Sequence, residues 1–136
     1  MEKTLYMIKP DAVARGLVGE LVALMEREGL AVERLELQLF DRAKAEAFYD
    51  VHRGKPFFDS LIAYITSGPV VPTVLAGENA IARVRELMGA TDPAQADSGT
   101  IRRKFGESIE RNAVHGSDSP TSARREIDVV FGESRA

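Results

Sequence analysis

The chain has 136 residues, 18 Lys and Arg against 21 Asp and Glu, two histidines and no cysteine. With 44% hydrophobic and 29% charged residues it is globular in composition, and its length suits one domain, residues 1–136, with a substantial core. The missing cysteines exclude disulfides and thiolate metal sites, and two histidines exclude a histidine-rich cage. The net charge of −3 argues against a nucleic-acid binder, yet leaves room for a local basic pocket for a small anion.

Met1-Glu2-Lys3-Thr4 precedes only the short apolar run Leu5 to Ile8, so neither signal peptide nor membrane span is expected, and the expected location is cytoplasmic. Thr4–Lys9 reads as a first strand, apolar on both faces as a central strand is. Lys9 at its end suits either a rim charge or a phosphate ligand. Leu17, Leu21, Leu24 and Met25 recur at helical spacing until Gly29. Leu35–Leu39 alternates strictly, which predicts a strand with one face toward water or a partner.

Asp41 can cap a helix whose inward residues are expected to be Ala43, Ala47, Phe48 and Val51, with Tyr49, His52 and Lys55 around its end. A helix from near Pro56 carries Phe58, Leu61, Ile62 and Ile65 as its apolar stripe. Phe57 lies about 100° from that stripe by helical rotation, which leaves it near the surface. It is either a partly exposed aromatic or a platform on which a base stacks.

Val70–Leu75 reads as a strand, with an unpaired position or bulge expected at Pro72. A helix over 78–88 turns Ile81, Val84 and Met88 inward and Arg83 outward, with Arg85 on the border. A border arginine can reach into a cleft or cover apolar surface with its stem. Gly89–Arg111 reads as a long loop with one helical turn, and it holds the basic run Arg102-Arg103-Lys104. Asn112–Val114 is expected to be extended, which puts His115 at a strand end. Gly116–Asp118 then turns, with Ser119 as N-cap and Pro120 in the first position of a helix over 120–131. Ala123, Ile127, Val130 and Phe131 face inward there, and Glu126 sits at the edge of their stripe.

The order of elements predicts an α+β fold, a ferredoxin-like βαββαβ sandwich whose four-stranded antiparallel sheet is covered by helices. Neither a GxxxxGK[ST] loop nor a GxGxxG turn is present, so a nucleotide would have to be held by side chains. Lys9, Arg85, Thr91, Arg102 and Asn112 are the candidates, with Phe57 for the base. His115 alone fits a structural histidine more readily than a nucleophile, although imidazole is mostly neutral near pH 7 and competent as either nucleophile or base.

Six blocks go further. Ile8-Lys9-Pro10-Asp11, Pro56-Phe57-Phe58, Ser67-Gly68-Pro69-Val70, Met88-Gly89-Ala90-Thr91-Asp92-Pro93, Gly99-Thr100-Ile101-Arg102 and Asn112 through Ser119 stand in one order between Lys3 and Phe131. They resemble the nucleoside diphosphate kinases. The resemblance implies ping-pong transfer of a γ-phosphoryl group from a nucleoside triphosphate such as ATP to a nucleoside diphosphate, through a phosphohistidine at His115. It implies attack by Nδ1, Glu126 on the other ring nitrogen, Ser117 steadying Glu126, Lys9 stabilising the phosphoryl group and Tyr49 supporting Lys9. It further implies Arg85, Thr91 and Arg102 on the α- and β-phosphates, Asn112 on the ribose and bridging region, and Phe57 stacked on the base. Mg²⁺ would arrive on the phosphates with few protein ligands, Asp118 among the candidates. A homo-oligomer built from dimers, a tetramer or a hexamer, would pair the Leu35–Leu39 edge.

Ala12, Pro72 and Arg103-Lys104 depart from the family pattern, and the tail Gly132–Ala136 is too short for subunit contacts through a long C-terminus. A non-catalytic nucleotide-binding regulatory module would keep Phe57 and the basic pocket, but would need neither His115 nor Glu126.

Overall fold

The computed structural model describes residues 1–132, so the expectation for the tail lies almost wholly outside the described residues. Strand β1 (Glu2–Ile8) is central and pairs antiparallel with β3 (Val71–Gly77) on one side and with β4 (Val114–Gly116) on the other. β2 (Ala31–Leu35) pairs with β3 at the sheet edge, giving the order β2-β3-β1-β4. This is the antiparallel βαββαβ arrangement expected from the sequence.

Helices α1 (Pro10–Ala14) and α2 (Val18–Arg27) join β1 to β2, and α3 (Arg42–Phe48) and α4 (Phe58–Ile65) join β2 to β3. After β3 come α5 (Ala80–Met88), α6 (Ile101–Phe105) and, beyond β4, α7 (Pro120–Phe131). Period-two alternation divides β1 between two cores. Leu5 and Met7 pack with Phe48, Leu61, Ile65 and Val130 from α3, α4 and α7. Tyr6 and Ile8 pack on the opposite face with Leu21, Met25, Val84, Met88 and Ile101. Burial on both faces is why the strand carries no polar alternation.

Several boundaries differ from expectation. The strand read at Leu35–Leu39 lies instead at Ala31–Leu35. The chain beyond it stays close to β3: Glu36 N–H donates to the Pro72 carbonyl, and Gln38 and Val70 exchange two bonds. Pro72 has no N–H with which to answer Glu36, so the β2–β3 ladder ends before it, which is the unpaired position expected at this proline. In α3 the inward residues are Ala45 and Phe48, followed by Tyr49; Ala43, Ala47 and Val51 are exposed. Arg83 lies off the buried stripe, as expected, but is not free at the surface. It donates to the carbonyls of Glu78 and Glu28, tying α5 to the end of α2. Helix α5 starts at Ala80, where Glu2 Oε1 accepts the Ile81 N–H at 2.9 Å and acts as a cap from a distant strand.

Candidate active site

His115 lies in the middle of β4 rather than at a strand end, and of the expected extended stretch Asn112–Val114 only Val114 belongs to that strand. It stands opposite Met7 in the ladder. Facing residues of an antiparallel pair share a sheet face, so the imidazole projects toward α3 and α7. The Phe48 ring meets it edge-on, with centroids 5.0 Å apart. Ser119 caps α7 by accepting the Ser122 N–H at 3.1 Å, and Pro120 opens the helix, both as read from the sequence.

That start carries Glu126 back over the histidine. Glu126 Oε1 lies 2.9 Å from His115 Nε2 and accepts the Ser117 hydroxyl at 2.7 Å. Ser117 Oγ in turn accepts the Leu5 N–H at 3.1 Å, which fixes it to the central strand. Glu126 is buried. Burial pushes its carboxyl upward, but the bonds and charge of His115, the Ser117 hydroxyl and the Arg125 guanidinium outweigh that and hold it below the usual carboxylate range.

A group of cations faces this pair across a cleft of about 520 Å³ lined by Lys9, Arg85, Thr91, Arg102, Asn112 and His115, among others. Lys9, at the end of β1, is buried and donates to the Glu110 carbonyl at 2.8 Å and to Asn112 Oδ1 at 2.9 Å. Asn112 Nδ2 donates to the Thr91 carbonyl at 3.0 Å, so one amide joins two walls of the cleft. Burial, reinforced by the Arg102 charge, lowers Lys9 to about 8 against the raising effect of Asp11 and Glu110. Arg102, the first residue of the basic run, is also buried. It donates to the carbonyls of Gly89 and Val114, and its Nε is buried with no partner among the described residues. Burial and the nearby Arg85 bring it down to about 10. Two buried cations with lowered pKa values mark this cleft as a functional-site candidate. Only Arg103 and Lys104 of the run are exposed.

Phe57 is 46% exposed and lines the cleft, as its angular offset predicts. Tyr49 also lines it, buried against Phe48 at 4.9 Å, and burial raises its hydroxyl above the ordinary phenol range. Lys9 is held by Glu110 and Asn112, with Tyr49 across the same space. Every residue singled out for the site therefore lines the cleft except Ser117, which stands behind Glu126. Sequence reasoning missed Arg125, which lines the cleft and donates to the Ala47 and Phe48 carbonyls at the end of α3. It also missed Glu110, which acts through its main-chain oxygen.

A histidine backed by a buried carboxylate and faced by cations on an α+β sandwich is the apparatus of a phosphoryl-transfer enzyme. Comparison with known proteins agrees. The family model for nucleoside diphosphate kinase matches residues 2–136. The nucleoside diphosphate kinase of Nitratidesulfovibrio vulgaris is 54% identical over 131 residues, covering 96% of this chain and 94% of its own. The solved Aquifex aeolicus nucleoside diphosphate kinase superposes with a TM-score of 0.94 at 43% identity, covering 98% of this chain and 96% of that one. A Halobacterium salinarum nucleoside diphosphate kinase solved in complex with CDP superposes with a TM-score of 0.94 at 42% identity, covering 98% and 89%. The chain belongs to the nucleoside diphosphate kinase family, and is an enzyme of the phosphotransferase class.

Proposed function

We propose that His115 is the phosphoryl acceptor of a ping-pong reaction. The Nδ1 lone pair attacks the γ-phosphorus of a nucleoside triphosphate, the bond from that phosphorus to the β–γ bridging oxygen breaks, and the nucleoside diphosphate leaves with the bond's electron pair. A second nucleoside diphosphate takes the phosphoryl group by the reverse step. The observation that carries this reading is the Glu126 bond to Nε2. It fixes the tautomer, steadies the ring and leaves Nδ1 for the cleft, as an orienting carboxylate does in a triad.

The remaining roles follow from charge and reach. Lys9 neutralises the moving group, with Tyr49 supporting it from across the cleft. Arg85, Arg102 and Thr91 hold the α- and β-phosphates, the buried Arg102 Nε suiting a phosphate oxygen. Asn112 reaches the ribose and bridging region, Phe57 stacks on the base, and Ser117 steadies Glu126. Phosphoryl transfer asks for this kind of positioning and charge neutralisation more than for covalent assistance.

Mg²⁺ fits as a cation carried by the nucleotide. No three His, Cys, Asp or Glu side chains converge among the described residues, and Asp118, at the cleft rim, is exposed. Asp118 would take a water-mediated contact, and the ion, when bound, neutralises charge on the phosphates. We further propose a cytoplasmic homo-oligomer, a tetramer or hexamer built from dimers paired along the edge that carries the exposed Leu35, Leu37 and Leu39. Among the described residues no helix is long and apolar enough to cross a membrane.

Incubation with γ-labelled ATP and Mg²⁺ tests the reaction. Acid-labile, alkali-stable label that passes to added GDP is expected. Label that never appears, or that persists in His115→Ala, overturns the proposal; nucleotide binding without label would be the behaviour of a regulatory module.

A further inference from the structure

Asp11 lies outside the lining of the cleft, yet it is buried and both of its carboxylate oxygens are engaged. Oδ1 accepts the hydroxyl of Tyr64 on α4, and Oδ2 accepts the Ala113 N–H at 3.1 Å. The Asp11 N–H donates back to the Tyr64 oxygen at 3.1 Å. These bonds join the first turn of α1, the C-terminal end of α4 and the residue that precedes β4.

Ala113 is the unusual member. Its φ is +74°, a left-handed value that any residue with a Cβ disfavours, and the Val114 N–H closes a three-residue turn around it onto the Asn112 carbonyl at 2.9 Å. Its own carbonyl accepts the Lys9 N–H at 2.9 Å. Both polar groups of Ala113 are thus held by the segment Lys9-Pro10-Asp11. Asn112, which joins Lys9 to Thr91, opens the turn, and His115 stands two residues beyond Ala113. If Ala113 relaxed to negative φ, the chain would leave in another direction, and Asn112 and His115 could not both keep their places on the cleft. Strain of this kind persists only where the surroundings over-determine it.

We infer that Asp11, braced by Tyr64, is a positioning residue for phosphoryl transfer: it locks the left-handed turn at Ala113 that aims Asn112 and His115 at the same nucleotide. A carboxylate suits the task because it offers two acceptors in different directions, toward a hydroxyl and toward an amide. Tyr64 extends the brace to the lysine, whose Nζ lies 5.5 Å from its ring centroid. The inference rests on His115 being the phosphoryl acceptor.

The test compares single-turnover labelling of His115 in the full-length protein, Asp11→Ala, Asp11→Asn and Asp11→Ala/Ala113→Gly. It is run well below each variant's melting temperature. Asp11→Ala should slow labelling about 10- to 100-fold, the scale of a misaligned reacting group. Asp11→Asn, which keeps one acceptor for the amide, should be slowed less. Glycine adopts φ +74° without penalty, so Ala113→Gly should return several-fold of the rate lost in Asp11→Ala. Loss of stability alone would shift the melting temperature without this pattern. Labelling of Asp11→Ala at the unaltered rate overturns the inference, as does slow labelling that Ala113→Gly fails to improve. If Asp11→Ala does not fold, Asp11→Asn with and without Ala113→Gly carries the same comparison. Failure of the unaltered protein to label His115 overturns instead the function on which the inference rests.

Discussion

Replacing Glu126 isolates the contribution of the carboxylate behind the proposed nucleophile, His115. In Glu126→Ala the His115 Nε2 bond of 2.9 Å disappears, and the Ser117 hydroxyl loses its acceptor at 2.7 Å. A hydrogen bond to a charged group contributes about 1.5–3 kcal/mol. If the bond to His115 matters fully in the transition state, its loss lowers the rate by roughly 10- to 150-fold at 1.36 kcal/mol per decade. Glu126→Gln keeps an acceptor but removes the charge. The difference between a charged and a neutral bond is about 1–1.5 kcal/mol, or roughly 5- to 12-fold. The order should therefore be Glu, then Gln, then Ala, read as the rate constant for phosphorylation of His115 in rapid-mixing single turnovers with saturating ATP and Mg²⁺. Melting curves must show all three chains folded at the assay temperature. A Glu126→Ala rate within twofold of the unaltered protein would refute the orienting role.

Four further outcomes are expected. Lys9 is lowered to about 8 and acts as a cation, so kcat/KM should fall as pH rises through about 8; in Lys9→Arg that limb should vanish even if the plateau is lower, and an unchanged limb would assign it elsewhere. The same shift makes the unfolded chain hold more protons between about 8 and the ordinary 10.5, so Lys9's contribution to stability should rise with pH across that window. Phe57→Ala removes a stacking platform worth about 1–3 kcal/mol, which should raise KM roughly 5- to 150-fold for purine and pyrimidine nucleotides alike, with kcat less affected; a rise below twofold would contradict the stacking role. Leu37 and Leu39 are 67% and 69% exposed, so Leu37→Glu with Leu39→Glu should leave the fold intact and lower the mass measured by light scattering to that of the monomer; an unaltered mass would remove this edge from the interface.

The parts of the site built by local chemistry were legible in the sequence. Ser119 and Pro120 announce where α7 begins, and helical rotation then carries Glu126 toward the sheet. Phe57 and Phe58 cannot both face one core, so one ring had to remain near the surface. What stayed hidden depends on partners far along the chain or on groups every residue carries. Asp11 meets Tyr64 and Ala113 at separations of 53 and 102 residues. Glu110 contributes a main-chain carbonyl, which leaves no signature in residue type. The burial of the Arg102 guanidinium beneath Gly89 and Val114 leaves no mark in a basic run whose other members, Arg103 and Lys104, are exposed. The Leu35–Leu39 alternation misplaced β2 because the extended chain keeps its period past the point where Pro72 interrupts the ladder.

The central claim is atomic: with Nε2 committed to Glu126, the phosphoryl group travels on Nδ1 of His115. Identifying the phosphorylated nitrogen tests it most directly, by ³¹P–¹⁵N correlation on ¹⁵N-histidine protein treated with ATP and Mg²⁺ and held at alkaline pH. The account predicts a single coupling to Nδ1 of His115, lost on addition of GDP. Coupling to Nε2, or a stable phosphate on any other residue that still turns over with GDP, would contradict it.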